Sequence, residues 1–205
     1  WISLALSRAS LVESVMETTE AEIRELFPNV DDAFGHWFAV FTDGEGCFCI
    51  ALDKRRNRDG TMGRGWPNAR FEIGLRVDDY EILLHTQWRL GIGSMSVRAA
   101  ANRKRPGENT SARYSTHRIG DCVSIAKFFS YYRLRAKKAA QHAVWAEAVN
   151  EMAKGRDRND QLVFDCHDKL KELRVFVLPE DLDAIALGNP PVIRHKVDLG
   201  TPPLC

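Results

Sequence analysis

Residues 34–48, FGHWFAVFTDGEGCF, contain a helix pattern that passes directly into a strand pattern. Four apolar residues recur at i, i+3, i+4 and i+7 and form one face of a helix: Phe34, Trp37, Phe38 and Phe41. Gly44 and Gly46 are expected to end this helix. The residues that follow, 47–53, place large apolar side chains at every second position, as in a strand that buries one face. This stretch therefore predicts a helix with two acidic residues in its last turn, joined tightly to a strand.

Similar patterns extend in both directions along the chain. The predicted elements are a helix over 3–26, a helix from about 31 to 44, strands at 47–53 and 70–77, a helix over 80–90, strands at about 94–101 and 112–119, one helical run over 122–152 and a helix over 160–174. The central order, αββαββα, predicts an α/β (α+β) fold in which two antiparallel hairpins bury one sheet face against helices. We therefore expect a domain over 31–153, an acidic helical extension over 1–30, and a helical and Pro-rich extension over 154–205.

The composition is that of a globular protein, with 205 residues, 44% apolar and 28% charged. No apolar run approaches the ~18 residues that a membrane span requires. The five cysteines form no CxxC pair and no zinc-finger spacing. These features predict an intracellular protein with no membrane partner. Because Arg outnumbers Lys by twenty to nine, a GC-rich source is favoured, and with it a bacterial or phage-host cytoplasm, with an organelle as the alternative.

Charge is distributed unevenly along the chain. Residues 47–138 carry nineteen basic and eight acidic side chains, a net +11, whereas 1–46 carry −7 and 139–205 carry −3. A basic middle segment of this kind is typical of proteins that bind nucleic acid, and a solvated basic surface is the alternative. In the predicted hairpins, one set of alternate residues forms a polar, open face: Cys49, Ala51, Asp53, Glu72, Gly74, Arg76, Ser94, Ser96, Arg98, Tyr114, Thr116 and Arg118. This mixture of donors, acceptors and small residues suits the reading of base edges in a DNA groove.

Residues 38–46, FAVFTDGEG, resemble the signature helix of the LAGLIDADG homing endonucleases. The resemblance continues through FEIGLRVDD, ILL, LGIGSM and YYRLRAKKAA, and covers roughly 33–153. It implies a curved antiparallel sheet that binds double-stranded DNA, and metal-dependent phosphodiester hydrolysis at a long, pseudo-palindromic site. Mg²⁺ is the expected metal, and Mn²⁺ would suit the same oxygen ligands. The expected DNA contacts are Arg55, Arg56, Arg58, Arg70, Glu72, Arg76, Arg98, Arg103, Lys104, Arg105, Tyr114, Thr116, Arg118 and Lys138.

Glu45 is the candidate metal ligand at the end of the motif helix. A carboxylate there meets the negative end of the helix dipole, and a bound cation relieves this repulsion. The resemblance likewise assigns the metal to Glu45, and it places a basic catalytic residue at Lys137, with Lys138 as the fallback. It gives Arg76 a role in organising active-site water, or else in contacting a phosphate. Asp43 is expected to cap or support the helix end rather than to bind metal.

The single motif implies a homodimer, because cutting the second DNA strand requires a second active site. In the family, two motif helices pack side by side, usually with Gly at the third motif position, where this chain has Val40. Val40 is expected either to widen the helix contact or to shift it toward Gly35 and Ala39. The predicted interface residues are Gly35, Ala39, Val40 and Asp43.

Two other functions are open at the level of sequence. Some members of the family bind intron RNA as maturases, and this activity would not depend on Glu45. A catalytically inert DNA-binding regulator on the same fold is the third hypothesis. The presence of both Glu45 and Lys137 argues against that third hypothesis.

Overall fold

The computed structural model describes residues 18–53, 63, 65–98 and 110–174. Its helices are α1 (Glu20–Leu26), α2 (Asp32–Glu45), α3 (Tyr80–Leu90), α4 (Ile119–Tyr131), α5 (Lys137–Ala153) and α6 (Asp160–Glu172). Its strands are β1 (Gly46–Asp53), β2 (Trp66–Arg76), β3 (Ser94–Arg98) and β4 (Ser111–Thr116). This order confirms the predicted αββαββα core and the α+β fold. None of the helices in the described ranges is long and apolar enough to cross a lipid bilayer.

The four strands form one antiparallel sheet in the order β1-β2-β4-β3. β1 pairs with β2 so that Gly46 lies opposite Ile73. β4 pairs with the part of β2 from Phe71 to Arg76, and β3 forms the edge beside β4. Alternation along the strands puts the large apolar side chains on one face, against the helices. The second face carries mostly exposed and half-buried residues.

Aromatic rings fill the space between the buried sheet face and the helices. The Phe38 ring of α2 lies 6.2 Å from the Phe71 ring, 5.5 Å from the Phe128 ring and 5.4 Å from the Phe129 ring, measured between centroids. All four side chains are at most 2% exposed. Because each buried aromatic side chain removes a large apolar area from water, this cluster holds α2 against the sheet.

The helical run predicted over 122–152 is two helices rather than one. α4 ends at Tyr131 and α5 begins at Lys137. No Gly or Pro lies in the break, so the usual sequence signals for one are missing. Its cause is tertiary. Tyr132 is buried against α2, where its hydroxyl donates a hydrogen bond to Asp32 at 2.9 Å.

The outer helices α1 and α6 belong to the same core as the central elements. The buried side chains contributed by α1, its C-cap and α6 include Ile23, Phe27, Val163, Cys166 and Leu170. The compact unit that they help to form ends at Leu173. The described parts of the two predicted extensions therefore pack as components of the domain.

Several predicted features lie outside the described residues. They include most of the helix predicted over 3–26 and the Pro-rich tail. They also include six basic loop residues: Arg55, Arg56, Arg58, Arg103, Lys104 and Arg105. A second unit, Arg174–Cys205, is described only at its first residue.

Candidate active site and nucleic-acid interface

The motif helix α2 is held at both ends. At its start, the Asp31 side chain accepts a hydrogen bond from the Phe34 backbone N–H at 2.7 Å. This hydrogen bond lowers the pKa of Asp31, and the Arg89 guanidinium lowers it further. At its end, the Gly46 N–H donates to the Thr42 carbonyl, and the chain enters β1 at once. A Cβ at position 46 would lie 2.5 Å from the Thr42 side chain, so this tight turn requires glycine.

Glu45 is the last residue of α2, and it is exposed. Within the described ranges, the Glu45 carboxylate makes no hydrogen bond or ion pair. It also meets the negative end of the α2 dipole. Both features fit a carboxylate that binds a divalent cation. Mg²⁺ is commonly held by one or two carboxylates together with substrate phosphates, so a single protein carboxylate is a suitable part of such a site.

Asp43 joins the motif helix to α5. Its two carboxylate oxygens accept hydrogen bonds from the backbone N–H groups of Arg135 and Ala136, at 2.8 and 3.2 Å. Ala136 is the N-cap of α5. Asp43 therefore binds the two backbone amides that immediately precede the first residue of α5. The helix end that Asp43 supports is the start of α5, not the end of α2 as expected. Its carboxylate forms these bonds within the chain, and its place at a dimer interface stays a prediction.

We expect Asp43→Ala to lower the free energy of unfolding by about 1–2 kcal/mol, because the backbone amides of Arg135 and Ala136 lose their charged acceptor. Urea unfolding followed by circular dichroism measures this loss. Asp43→Asn, which keeps one acceptor oxygen, should lose less. Asp157→Ala, at an exposed position in the turn before α6, is the control. An unchanged unfolding free energy in Asp43→Ala would show that these bonds do not stabilise the fold.

The two basic catalytic candidates lie on different elements. Lys137 is exposed and is the first residue of α5, directly after the amides that bond to Asp43. Lys138 follows it and is half-buried. Arg76 ends β2 and donates two hydrogen bonds to Asp78, at 3.1 and 2.7 Å. A phosphate contact by Arg76 therefore requires the guanidinium to exchange Asp78 for the DNA.

The strand register sets the composition of the open face of the sheet. Residues that pair across strands share a face, and the face opposite Phe48 and Phe71 carries Cys47, Cys49, Ala51, Asp53, Trp66, Asn68, Arg70, Glu72, Gly74, Arg76, Ser94, Ser96, Arg98, Ser111, Arg113 and Ser115. Arg70 lies 3.9 Å from Asp53, and Arg113 lies 3.4 Å from Glu72. Since arginines outnumber acids on it, the face is polar and positive. Such a surface suits a DNA groove.

The prediction of which β4 side chains lie on the open face of the sheet is wrong. Tyr114 and Thr116 are fully buried on the helix-covered face, and Arg113 lies on the open face instead. The Tyr114 hydroxyl donates to the Ile92 carbonyl at 3.1 Å, so the phenol is buried without losing a hydrogen bond. This burial raises the pKa of Tyr114. Arg118 lies beyond the end of β4, at the N-cap of α4, rather than in the open row.

A cation–π pair lies at the end of β2 that is remote from Glu45. The Arg158 guanidinium is 3.9 Å from the centroid of the Trp66 ring. Arg158 also donates to Asp160 at 2.6 Å. The turn before α6 therefore supports the strand that carries the open face. Sequence reasoning missed this pair, because residues so far apart in the chain meet only after folding.

Comparison with known proteins identifies the family. The model of the LAGLIDADG endonuclease family matches residues 38–149, from the motif helix into α5. The chain belongs to the LAGLIDADG endonuclease family. Its fold is similar to that of I-Vdi141I, an archaeal intron-encoded homing endonuclease complexed with DNA, with a TM-score of 0.56 and 21% identity over 75% of this chain and 92% of the other. The homing endonuclease I-TnaI gives a TM-score of 0.51 and 18% identity over 68% of this chain and 94% of the other.

This LAGLIDADG chain covers different fractions of the lengths of its relatives. A probable intron-encoded endonuclease of Schizosaccharomyces pombe, Cox1-I1b, is 27% identical over 143 residues, which are 70% of this chain and 33% of the relative. The LAGLIDADG homing endonuclease I-LtrWI, bound to target DNA, gives a TM-score of 0.52 and 19% identity over 70% of this chain and 44% of the other. The chain therefore spans about a third of the curated relative.

The exposed side of the LAGLIDADG helix is not the side predicted from its small residues. Gly35 is buried against Tyr132, whose ring would lie 2.2 Å from a Cβ at this position. Ala39 is 4% exposed, in the core. Val40 is 71% exposed, and a Cβ added at Gly44 would meet no atom within 4 Å. Gly35 and Ala39 both pack within the chain, so their burial favours the other expectation, a widened helix contact at Val40. The dimer interface itself stays a prediction.

Proposed function

We propose that this chain is a site-specific homing endonuclease that cuts both strands of a long, pseudo-palindromic DNA site by metal-dependent phosphodiester hydrolysis. The observation that carries the proposal is the position of Glu45. Its exposed carboxylate stands at the turn from the LAGLIDADG helix into β1, where the open face of the sheet begins. A duplex lying along this face would bring a phosphate beside the carboxylate.

Three side chains have roles in the proposed reaction. Glu45 would hold a divalent cation, Mg²⁺ or Mn²⁺, which when bound supplies Lewis-acid stabilisation of the phosphate and activation of water. Lys137, at the start of the helix that Asp43 anchors, donates hydrogen bonds to the negative charge that develops on the phosphate. Arg76 neutralises a neighbouring phosphate or orients water.

The open face supplies the proposed recognition. Arg70 and Arg113 present guanidinium groups that match the O6 and N7 acceptors of guanine. Arg98, on the edge strand β3, extends this basic surface. Phosphate contacts are assigned to the basic residues of the two loops and to the start of α4: Arg55, Arg56, Arg58, Arg103, Lys104, Arg105 and Arg118. Contacts to phosphates hold the register on the duplex, whereas contacts to base edges select the sequence.

A homodimer supplies the second active site. Each chain contributes one Glu45, whereas cleavage of a duplex breaks two strands. A two-fold axis between the LAGLIDADG helices places one carboxylate at each strand and matches a pseudo-palindromic site. The near-complete coverage of I-TnaI and I-Vdi141I, 94% and 92% of their chains, supports such a single-motif unit.

Cleavage of a randomised duplex DNA library tests the proposal. The purified protein is incubated with the library and Mg²⁺, and the newly created ends are sequenced. We expect discrete, nearly palindromic cut sites that disappear when EDTA removes the metal. Bound but uncut duplexes would instead identify a DNA-binding regulator. Binding to structured intron RNA without DNA cleavage would identify a maturase.

We expect Arg113→Ala to relax base preference at one position in each half-site. A bidentate arginine contact to guanine contributes about 1–3 kcal/mol of discrimination, and alanine cannot replace it. Sequencing of the sites that the variant cuts measures this preference. Lys171→Ala, at an exposed position on α6, is the control and should preserve it. An Arg113→Ala profile identical to that of the unsubstituted protein would exclude Arg113 from base reading.

A further inference from the structure

The open face of the sheet continues beyond the end of β4. β4 ends at Thr116, which lies opposite Phe71, whereas β2 begins at Trp66. Among the described residues, the segment of β2 from Trp66 to Arg70 is therefore paired with β1 alone. A notch of about 310 Å³ lies beside this segment, and its lining includes Trp66, Asn68, His117, Ile119, Met152 and Arg158.

The turn between α5 and α6, residues 154–159, is named the α5–α6 turn and lies beside this end of β2. Its Arg158 guanidinium is 3.9 Å from the centroid of the Trp66 ring. Met152, near the end of α5, also lines the notch. Both residues come after position 149, where the match to the family model ends. A part of the chain beyond the family match therefore borders the open face here.

Trp66 presents an aromatic surface on the open face. The Arg158 guanidinium lies over the ring, yet the Trp66 side chain is still 61% exposed. Arg158 is itself held by Asp160, at 2.6 Å, and only 10% of its side chain is exposed. Because a cation–π contact with a buried guanidinium fixes the ring, a partner that binds Trp66 loses little free energy in ordering this side chain.

The α5–α6 turn is basic. Residues 154–158, KGRDR, carry three basic side chains and one acidic side chain. Lys154 pairs with Glu151 at 2.6 Å, and Glu151 also accepts a hydrogen bond from the Asn159 backbone N–H at 2.5 Å. Arg156 is exposed and makes no hydrogen bond or ion pair within the described ranges. A turn closed in this way presents an uncommitted guanidinium, which suits a phosphate.

The strand register gives the distance from this surface to the turn that carries Glu45. Trp66 lies opposite Asp53, which is seven residues along β1 from Gly46. At about 3.3 Å per residue, these seven steps span about 23 Å. B-DNA rises about 3.4 Å per base pair, so this span corresponds to about seven base pairs. A duplex lying along the open face would therefore pass Trp66 and the α5–α6 turn well outside the scissile phosphate.

We propose that Trp66 and Arg156 form an outer contact to duplex DNA, about seven base pairs from the cut. The inference rests on the proposed binding of DNA by the open face. Trp66 packs against an apolar base edge in the groove, such as a thymine methyl group. Arg156 binds a phosphate, and Arg158 is a positioning residue that orients Trp66. Duplex DNA is the partner because Trp66 lies in the same row as Arg70 on this basic face.

Binding of an identified target duplex, measured by gel shift without metal at several salt concentrations, tests this inference. We expect Trp66→Ala to raise Kd about tenfold, and Trp66→Phe, which keeps an aromatic ring, to raise it less. Arg156→Ala should lower the slope of log Kd against log salt by about one for each half-site, because one phosphate contact is lost. Lys171→Ala removes the same charge from an exposed position on α6 and is the control.

A shortened duplex distinguishes a direct contact from a general weakening. A duplex that ends about five base pairs from the cut on each side lacks the outer position. Trp66→Ala and the unsubstituted protein should bind this duplex equally, because the partner of Trp66 is absent. A loss of the same size on both duplexes would overturn the inference, since Trp66 would then act through the fold. Circular dichroism checks that each variant is folded.

Unchanged binding of the long duplex by both Trp66→Ala and Arg156→Ala would also overturn the inference. If the same variants bound a single-stranded RNA oligonucleotide more weakly, the surface would be an RNA contact instead. Failure of the endonuclease proposal is a separate result, namely a protein that binds its duplex and does not cut it. In that case the duplex recovered by binding is shortened from both ends, and the outer contact is tested in the same way.

Discussion

Glu45→Gln is expected to lower the rate of DNA cleavage by at least about a thousandfold, because the substitution removes the charge that binds the cation and keeps the shape of the side chain. DNA binding should be retained or strengthened, since the negative charge is lost from a position beside phosphates. Single-turnover cleavage of an identified site measures the rate, and a gel-shift titration without metal measures binding. A loss of cleavage together with retained DNA binding indicates a residue that acts in the reaction.

Glu25→Gln provides the matched control for Glu45→Gln. Glu25 is an exposed carboxylate near the end of α1, a different helix from the one that ends at Glu45. The same chemical change there should leave cleavage unaltered. Full activity in Glu45→Gln would remove Glu45 from the mechanism. A parallel loss of DNA binding would point to a structural defect in place of a catalytic one.

Gly35→Ala is expected to lower the free energy of unfolding by about 3 kcal/mol, at the upper end of the range for overpacked cores. The added Cβ would lie 2.2 to 2.5 Å from three ring carbons of Tyr132. That ring is 1% exposed, is bonded to Asp32 at 2.9 Å, and lies 4.9 Å from the Phe128 ring. The burial, the hydrogen bond and the neighbouring ring all oppose a shift of the Tyr132 ring. Urea unfolding measures the loss.

Gly44→Ala separates this steric effect from helix propensity. It makes the same substitution in the same helix, but nothing lies within 4 Å of its Cβ. Alanine should stabilise the helix there by about 0.5–1 kcal/mol. A second comparison places Gly35→Ala in a Tyr132→Ala background, where most of its cost should vanish. Equal stability of Gly35→Ala and the unsubstituted chain would contradict the close packing of Gly35 and Tyr132.

The turn that carries Glu45 and the order of helices and strands were predictable because their signals are local. The spacing of Phe34 and Phe38 marks one helix face, and this face is the buried one in the structure. Gly46 occupies a position where a Cβ would collide with Thr42. The strand that starts there alternates as the sequence does. Glu45 could therefore be placed at the end of the motif helix without knowledge of the tertiary structure.

The facing of β4 was not predictable with the same certainty, because both sets of alternate residues contain polar side chains. Arg113 and Ser115 form one set, and Ala112, Tyr114 and Thr116 form the other. The small apolar side chain of Ala112 was the available signal for the buried set. Which set is buried depends on the Tyr114 hydroxyl, which donates a hydrogen bond to the Ile92 carbonyl inside the fold. A partner distant in the chain decided which residues face the open side.

By itself, the sequence determined the αββαββα order, the basic character of the middle of the chain and the carboxylate at the end of the motif helix, since periodicity, charge and glycine position are properties of neighbouring residues. Only the tertiary structure decided that Gly35 packs against Tyr132 and that Asp43 binds the two backbone amides just before α5. These features depend on which distant side chains meet. Contacts between side chains distant in the sequence are determined by close packing and by the need to satisfy buried hydrogen-bonding groups. No local pattern in the chain encodes these contacts.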